Sequence, residues 1–123
     1  MVTRLDDRER LLLVAEQDGK LVGMAQVVFS GVGNAGHRTE IQRVAVGEAA
    51  RGAGIGARLM RAVEETAVRR GVTLLWLTTH DDAAACGFYE AIGYTKLGVM
   101  PNSSRRPDGT LWPGAFYFRE FTA

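Results

Sequence analysis

The sequence predicts an α+β domain with a mixed sheet, in the order βββ-α-β-α-β-β. Three observations carry that prediction. Two apolar runs, Leu11 to Glu16 and Leu21 to Phe29, flank Asp18-Gly19, a strong hairpin signal. The stretch Arg51-Gly52-Ala53-Gly54-Ile55-Gly56 lies between a strand-like run and a helical pattern. A nearly continuous apolar run, Val72 to Thr79, follows that helix. Strand, helix and strand then imply a right-handed crossover and a parallel component.

Each element has its own signal. Val27, Val28 and Phe29 carry the β-branched and aromatic bias of strands. Gly31 to Gly36 reads as a loop, and Arg38 to Val46 as a third antiparallel strand. Ile55, Leu59, Met60, Val63 and Ala67 share one helical face, and Gly71 ends that helix as a left-handed cap. Asp81 and Asp82 are N-cap candidates for a second helix that runs to about Ile92 and stops at Gly93. Tyr94 to Met100 reads as a strand, Pro101 to Gly114 as a polar loop, and Ala115 to Phe121 as an aromatic closing strand. One domain over residues 1–123 is expected, since 123 residues build one core and not two.

Composition narrows the function. A formal net charge of +1 argues against general nucleic-acid affinity, which needs a concentrated basic surface. The single cysteine, Cys86, forms no internal disulfide and points to a reducing, cytoplasmic compartment. The early apolar run Leu11 to Ala15 is too short for a signal segment or a membrane span. No metal site is expected.

The glycine stretch carries the chemistry. Three glycines in five positions leave backbone N–H groups and a helix N-terminus open to an anion, so strand, glycine turn and helix form a phosphate-binding arrangement. A dinucleotide fingerprint fits poorly, because its third glycine falls at Leu59 and its acidic partner near Leu74 is absent. A nucleoside-triphosphate loop is excluded, because no Gly-Lys-Ser/Thr follows.

With Val44-Ala45-Val46 before it and Leu59-Met60 after it, the set Arg51, Gly54 and Gly56 resembles the acetyl-CoA signature of the GCN5-related N-acetyltransferases (GNAT). Their second signature resembles Ala85-Cys86-Gly87-Phe88-Tyr89-Glu90-Ala91-Ile92-Gly93-Tyr94. The resemblance runs from Leu11 to Phe121. In its C-terminal part it looks most like the tabtoxin resistance protein branch, through Gly98 to Pro101, Pro107-Asp108-Gly109 and Phe116-Tyr117-Phe118.

The resemblance implies an acetyl-CoA-dependent N-acetyltransferase that moves the acetyl group directly to the primary amine of a small molecule. It assigns the CoA pyrophosphate to backbone N–H groups of Gly52, Ala53, Gly54, Ile55, Gly56 and Ala57, with Arg51 opening the turn. It pairs the pantetheine with the backbone of Val44, Ala45 and Val46. Asp82 stands where many relatives carry an asparagine that contacts the cofactor, with Ala85 beside it. Tyr89 matches the usual general acid, a phenol that protonates the leaving thiolate. Glu40, four residues before Val44, matches a general base of some members, and His37 is a second base candidate.

Ordinary readings stand beside these. Tyr89 could simply pack with Phe88 and Tyr94, and Glu40 could be a solvent-facing strand carboxylate paired with Arg38 or Arg43. Asp82 could only cap its helix, or could join Asp81 and His80 in attracting a cation. Arg105 and Arg106 could bind the 3′-phosphate of CoA or a substrate carboxylate, or lie in solvent, and Trp112 could wall the acceptor pocket or pack. Cys86 reads as a packing residue.

One departure from the family stands out. The usual N-terminal strand and two helices, which help to form the acceptor site, are missing ahead of Leu11. A bare sheet face would favour a homodimer. An alternative to turnover is a GNAT-like module that holds CoA without acetylating anything.

Overall fold

Asp18 and Gly19 both take positive φ, 53° and 77°. This is the hairpin geometry whose twist matches the strands it joins. It links β2 (Arg10–Gln17) to β3 (Lys20–Phe29), as the sequence leads one to expect. The computed structural model describes residues 2–6, 10–29, 36–47 and 54–122, and of residues 2–6 the backbone alone. Arg51, Gly52, Ala53 and most of the expected Gly31 to Gly36 loop lie outside the described residues.

The chain forms two compact units, residues 1–75 with 121–123, and residues 76–120. In the first, β1 (Val2–Asp6), β2, β3 and β4 (Arg38–Val46) lie side by side in that order, each antiparallel to the next. β1 corrects the expectation that no strand precedes the hairpin: Val2 to Asp6 pairs with Leu11 to Ala15.

Helix α1 (Ile55–Arg69) covers one face of these strands. Leu11, Leu13, Ala15, Ala25, Val27 and Ile41 from the strands meet Ile55, Leu59, Met60, Val63 and Ala67 from the helix in one core. All five helix positions are those picked out by helical spacing. Gly71, with φ 85°, closes α1: its N–H donates to Val68 O and that of Val72 to Ala67 O. These paired bonds define a Schellman motif.

Strand β4 contains an irregularity that reorganises its faces. Gln26 pairs with Arg43 and Val27 with Ile41, so Gln42 is an extra, unpaired residue. Before it, Thr39 and Ile41 are buried on the α1 side; after it, half-buried Val44 and Val46 take that side and Ala45 is exposed. Unbroken alternation would have put Arg43 there instead.

In the second unit, β7 (Leu111–Glu120) lies between β5 (Leu74–His80), which begins in the first unit, and β6 (Thr95–Arg105). Helix α2 (Ala83–Ala91) follows β5. The structure corrects the expected Pro101 to Gly114 loop. β6 continues to Arg105 and β7 starts at Leu111, so only a tight turn remains. Proline is tolerated because β6 is the outermost strand and a wide bulge falls there. Met100 pairs with Gly114 and Ser104 next with Trp112, with Asn102 at φ 54° inside the bulge. A Cβ on Gly114 would sit 2.6 Å from Ser103 Oγ, so this close approach needs glycine. The turn is closed by Arg106 N–H to Thr110 O (2.8 Å) and Gly109 N–H to Arg106 O (2.9 Å), with Gly109 at φ 89°.

β5 is less enclosed than its composition suggests. Leu75 and Leu77 are buried, Leu74 and Trp76 are half-buried, and Thr78 and His80 are exposed. The α+β class is as expected, with seven strands rather than six among the described residues.

Candidate active site

In the first unit, the end of β4 and the start of α1 lie together. Gly23, opposite Val46 in β3, makes this contact: a Cβ there would lie 3.0 Å from Leu59 Cδ1 and 3.1 Å from Ile55 Cγ2. Gly54 is the N-cap of α1, at φ 74°, with no side-chain capping bond. No acidic residue occupies the first turn. The N–H groups of Ile55, Gly56 and Ala57 therefore have no partner among the described residues, and the first intrahelical bond is Arg58 N–H to Gly54 O at 3.1 Å. A helix N-terminus with no acidic residue in its first turn suits a phosphate group. Gly47 N–H donates to Val22 O at 2.7 Å, which sets the alternation along β4. By that alternation the backbone N–H groups of Val44 and Val46 point away from β3.

Glu40 lies on the face of β4 opposite α1, across from Val28, and is half-buried. It forms no ion pair among the described residues, so the alternative of a pairing with Arg38 or Arg43 is not seen there. His37 is exposed in the turn before β4, and its carbonyl accepts from Thr73 N–H (2.8 Å) and Leu74 N–H (3.2 Å).

In the second unit, α2 carries Asp82 at its N-cap and Ala85 and Tyr89 within it. Asp82 Oδ1 accepts from Ala85 N–H at 2.8 Å, so capping is its observed role. Asp81 pairs with Lys96 Nζ at 2.9 Å. The Lys96 hydrogen bond holds the Asp81 carboxyl below its ordinary range, while that same bond raises Lys96. The expected cation-attracting cluster of His80, Asp81 and Asp82 is thus spent on a lysine and a cap. Replacing Asp82 by alanine is expected to cost about 1 kcal/mol of stability through the lost cap. Urea denaturation checks this, and an unchanged acetyl-CoA affinity in the variant would confine Asp82 to capping.

Tyr89 is packed by three rings, Phe88 at 5.0 Å and Tyr94 and Tyr117 each at 6.0 Å between centroids. The spacing from Tyr89 to Gly93-Tyr94 has a backbone cause. Tyr94 N–H donates to Tyr89 O (2.9 Å) and Gly93 N–H to Glu90 O (3.2 Å), with Gly93 at φ 99°. This second Schellman motif brings the Tyr94 ring against that of Tyr89. Arg119 Nη1 completes the helix end by donating to Ile92 O at 2.9 Å.

The Tyr89 residue is 8% exposed, and burial pushes its phenol up to about 12. Its hydroxyl forms no hydrogen bond among the described residues, yet Thr39 Oγ1 is the only fully buried polar side-chain atom there without a partner. The Tyr89 ring is therefore enclosed, and no described residue binds its oxygen. Tyr117 donates instead to Glu90 Oε2 at 2.5 Å, and burial raises its phenol further. Cys86 is buried one helical turn before Tyr89, with its thiol 3.6 Å from Asp81 Oδ1, as a packing residue would be.

No group of three or more His, Cys, Asp or Glu among the described residues could hold a metal ion. No described helix is long and apolar enough to cross a membrane.

The pattern of the Acetyltransferase (GNAT) family matches residues 2–94, and the chain belongs to that family. It is 34% identical over 95 residues to streptothricin acetyltransferase of Streptomyces lavendulae, which covers 76% of this chain and 49% of that protein. The chain thus spans about half the length of this curated relative. It is also similar to the crystal structure of a ribosomal-protein-alanine N-acetyltransferase from Brucella melitensis. That likeness has a TM-score of 0.81 and 27% identity, over 91% of this chain and 69% of that one. A Salmonella typhimurium structure with its cofactor acetyl-CoA has a TM-score of 0.81 and 22% identity, over 93% of this chain and 66% of that one. At that identity the likeness is one of fold.

Proposed function

We propose that this chain is a single acetyl-CoA-dependent N-acetyltransferase domain acting on the primary amine of a small molecule. The observation that carries the reading is Tyr89: an enclosed ring with a neutral hydroxyl that no described residue binds, at a position that resembles that of the family's general acid. Acetyl-CoA supplies an acetyl group activated as a thioester. The open N–H groups of Ile55, Gly56 and Ala57, continued by Arg51, Gly52, Ala53 and Gly54, hold its pyrophosphate. The backbone of Val44, Ala45 and Val46 pairs with its pantetheine, and Asp82 and Ala85 are assigned to the cofactor through the family resemblance.

Glu40 takes the proton that the acceptor ammonium must lose before its nitrogen attacks. A C–N bond forms as the C–S bond breaks, and the Tyr89 hydroxyl gives its proton to the departing sulfur. A homodimer would cover half-buried Leu12, Val14, Val22, Met24 and Val28 on the face away from α1. A single cysteine suits a reducing cytoplasm.

The test is thermal denaturation with acetyl-CoA, followed by a thiol-release assay over amino acids, polyamines, aminoglycosides and peptide N-termini. Saturation to about 100 times Kd is expected to add about 2.7 kcal/mol of stability. A melting temperature unmoved by millimolar acetyl-CoA would sink the reading. Stabilisation without thiol release from any amine would leave a CoA-holding module instead.

A further inference from the structure

Within the second unit, the end of β5 and the β6–β7 turn enclose an open cavity of about 670 Å³, lined by His80, Ser104, Arg105, Arg106, Pro107 and Asp108. We propose that this cavity is an oxyanion site that takes a carboxylate or phosphate group through Arg105 and Arg106. The site stands on its own geometry. Its two candidate sources, an acidic group on the acceptor and the 3′-phosphate of the cosubstrate, rest on the acetyltransferase reading above.

The charge balance favours an anion. Neither arginine meets a carboxylate among the described residues. Asp108 is the one acidic lining residue, and its Oδ1 is occupied by Thr110 N–H (2.9 Å) and Thr110 Oγ1–H (2.6 Å). Those bonds hold its carboxyl below the ordinary range, so it stays ionised and locked into the turn. Two guanidinium groups therefore face one committed carboxylate, a surplus of one positive charge in a concave surface.

The cations are also held in place. The Arg106 guanidinium lies over the Trp112 ring. Trp112 meets the His80 ring edge to face at 5.7 Å between centroids. Stacking engages the face of a guanidinium and leaves its N–H edge for a ligand. Arg105 Nη1 donates to Gly109 O at 3.4 Å, which ties it to the same turn and leaves its other donors available. Most surface arginines give up rotamer freedom to bind an anion, whereas these two have already surrendered part of it. A planar fork also matches carboxylate and phosphate oxygens in pairs.

The experiment uses the full chain, its R105Q and R106Q variants and the double variant. Inorganic phosphate is titrated at constant ionic strength against chloride, and the melting temperature is read. Phosphate is expected to raise it in the wild type and to lose most of that effect in the double variant. Equal protection of both proteins would overturn the proposal, and this readout needs neither acetyl-CoA nor turnover.

Two further arms separate the sources. Calorimetry compares acetyl-CoA with its 3′-dephospho form, and kinetics compare an amino-acid acceptor with its amide. A weakening of about tenfold in the double variant, confined to acetyl-CoA, identifies the 3′-phosphate. A similar rise in KM confined to the amino acid identifies an acidic acceptor. If neither arm moves, both named sources are refuted even where acetyl-CoA still binds, and the phosphate titration alone decides the site.

Discussion

Tyr89→Phe is expected to lower turnover by about 100- to 1,000-fold while acetyl-CoA still raises the melting temperature. The substitution removes one oxygen and keeps the ring against Phe88, Tyr94 and Tyr117. That oxygen has no hydrogen-bond partner among the described residues, so its loss strands none of their groups. A kinetic defect with unchanged folding would therefore isolate a proton-transfer role. A variant as active as the wild type would return Tyr89 to simple packing.

The pH dependence has a definite sign. The folded phenol titrates near 12, against 10.0 for an exposed tyrosine. Between those values the unfolded chain has lost the proton and the folded chain keeps it. Stability from this group is therefore intact below pH 10 and drains away as pH rises through 12. Alkaline denaturation of Tyr89→Phe should lack that contribution. Near neutral pH the phenol is fully protonated, so it gives turnover no falling limb at moderate alkalinity.

Leu59→Ala is expected to cost about 3 kcal/mol in urea denaturation. Leu59 is 0% exposed, and its Cδ1 fills the space left by the missing side chain of Gly23. Truncation opens a cavity where the first turns of α1 seat on the strands, and the surroundings relax only partly. The open N–H groups of Ile55, Gly56 and Ala57 hang on that seating, so acetyl-CoA affinity should fall along with stability. Leu97→Ala provides the contrast. Leu97 is 73% exposed, and its truncation should change stability by less than about 0.5 kcal/mol.

Local backbone chemistry was legible in the sequence. Asp18-Gly19, Gly71, Gly93 and Asp82 each mark a turn or cap that the structure builds as expected, because such sites depend on neighbours a few residues away. The α1 face was equally readable from spacing. What escaped was set by partners distant in the chain. Pro101 and the polar residues after it looked like loop, yet they lie in β6 because an edge strand needs few of its own N–H groups. The Asp81–Lys96 pair joins residues fifteen apart, and no local pattern announces it. The spacing of Tyr89 to Gly93-Tyr94 was visible as a motif, but its cause lies in the Schellman bonds.

The extra residue at Gln42 acts as a change of parity within one strand. On either side of it, odd and even positions exchange their meaning, so β4 behaves as two short strands joined out of step. Ironing out the bulge, with Gln42 taken into the regular ladder, would not merely shift a register. It would send Arg43 and Ala45 to the α1 side and turn Val44 and Val46 outward, exchanging a greasy lining for a charged one. The same step would redirect the backbone groups that Val44 and Val46 turn away from β3. A single position with no side-chain role of its own thus decides which half of β4 speaks to the core and which to a ligand.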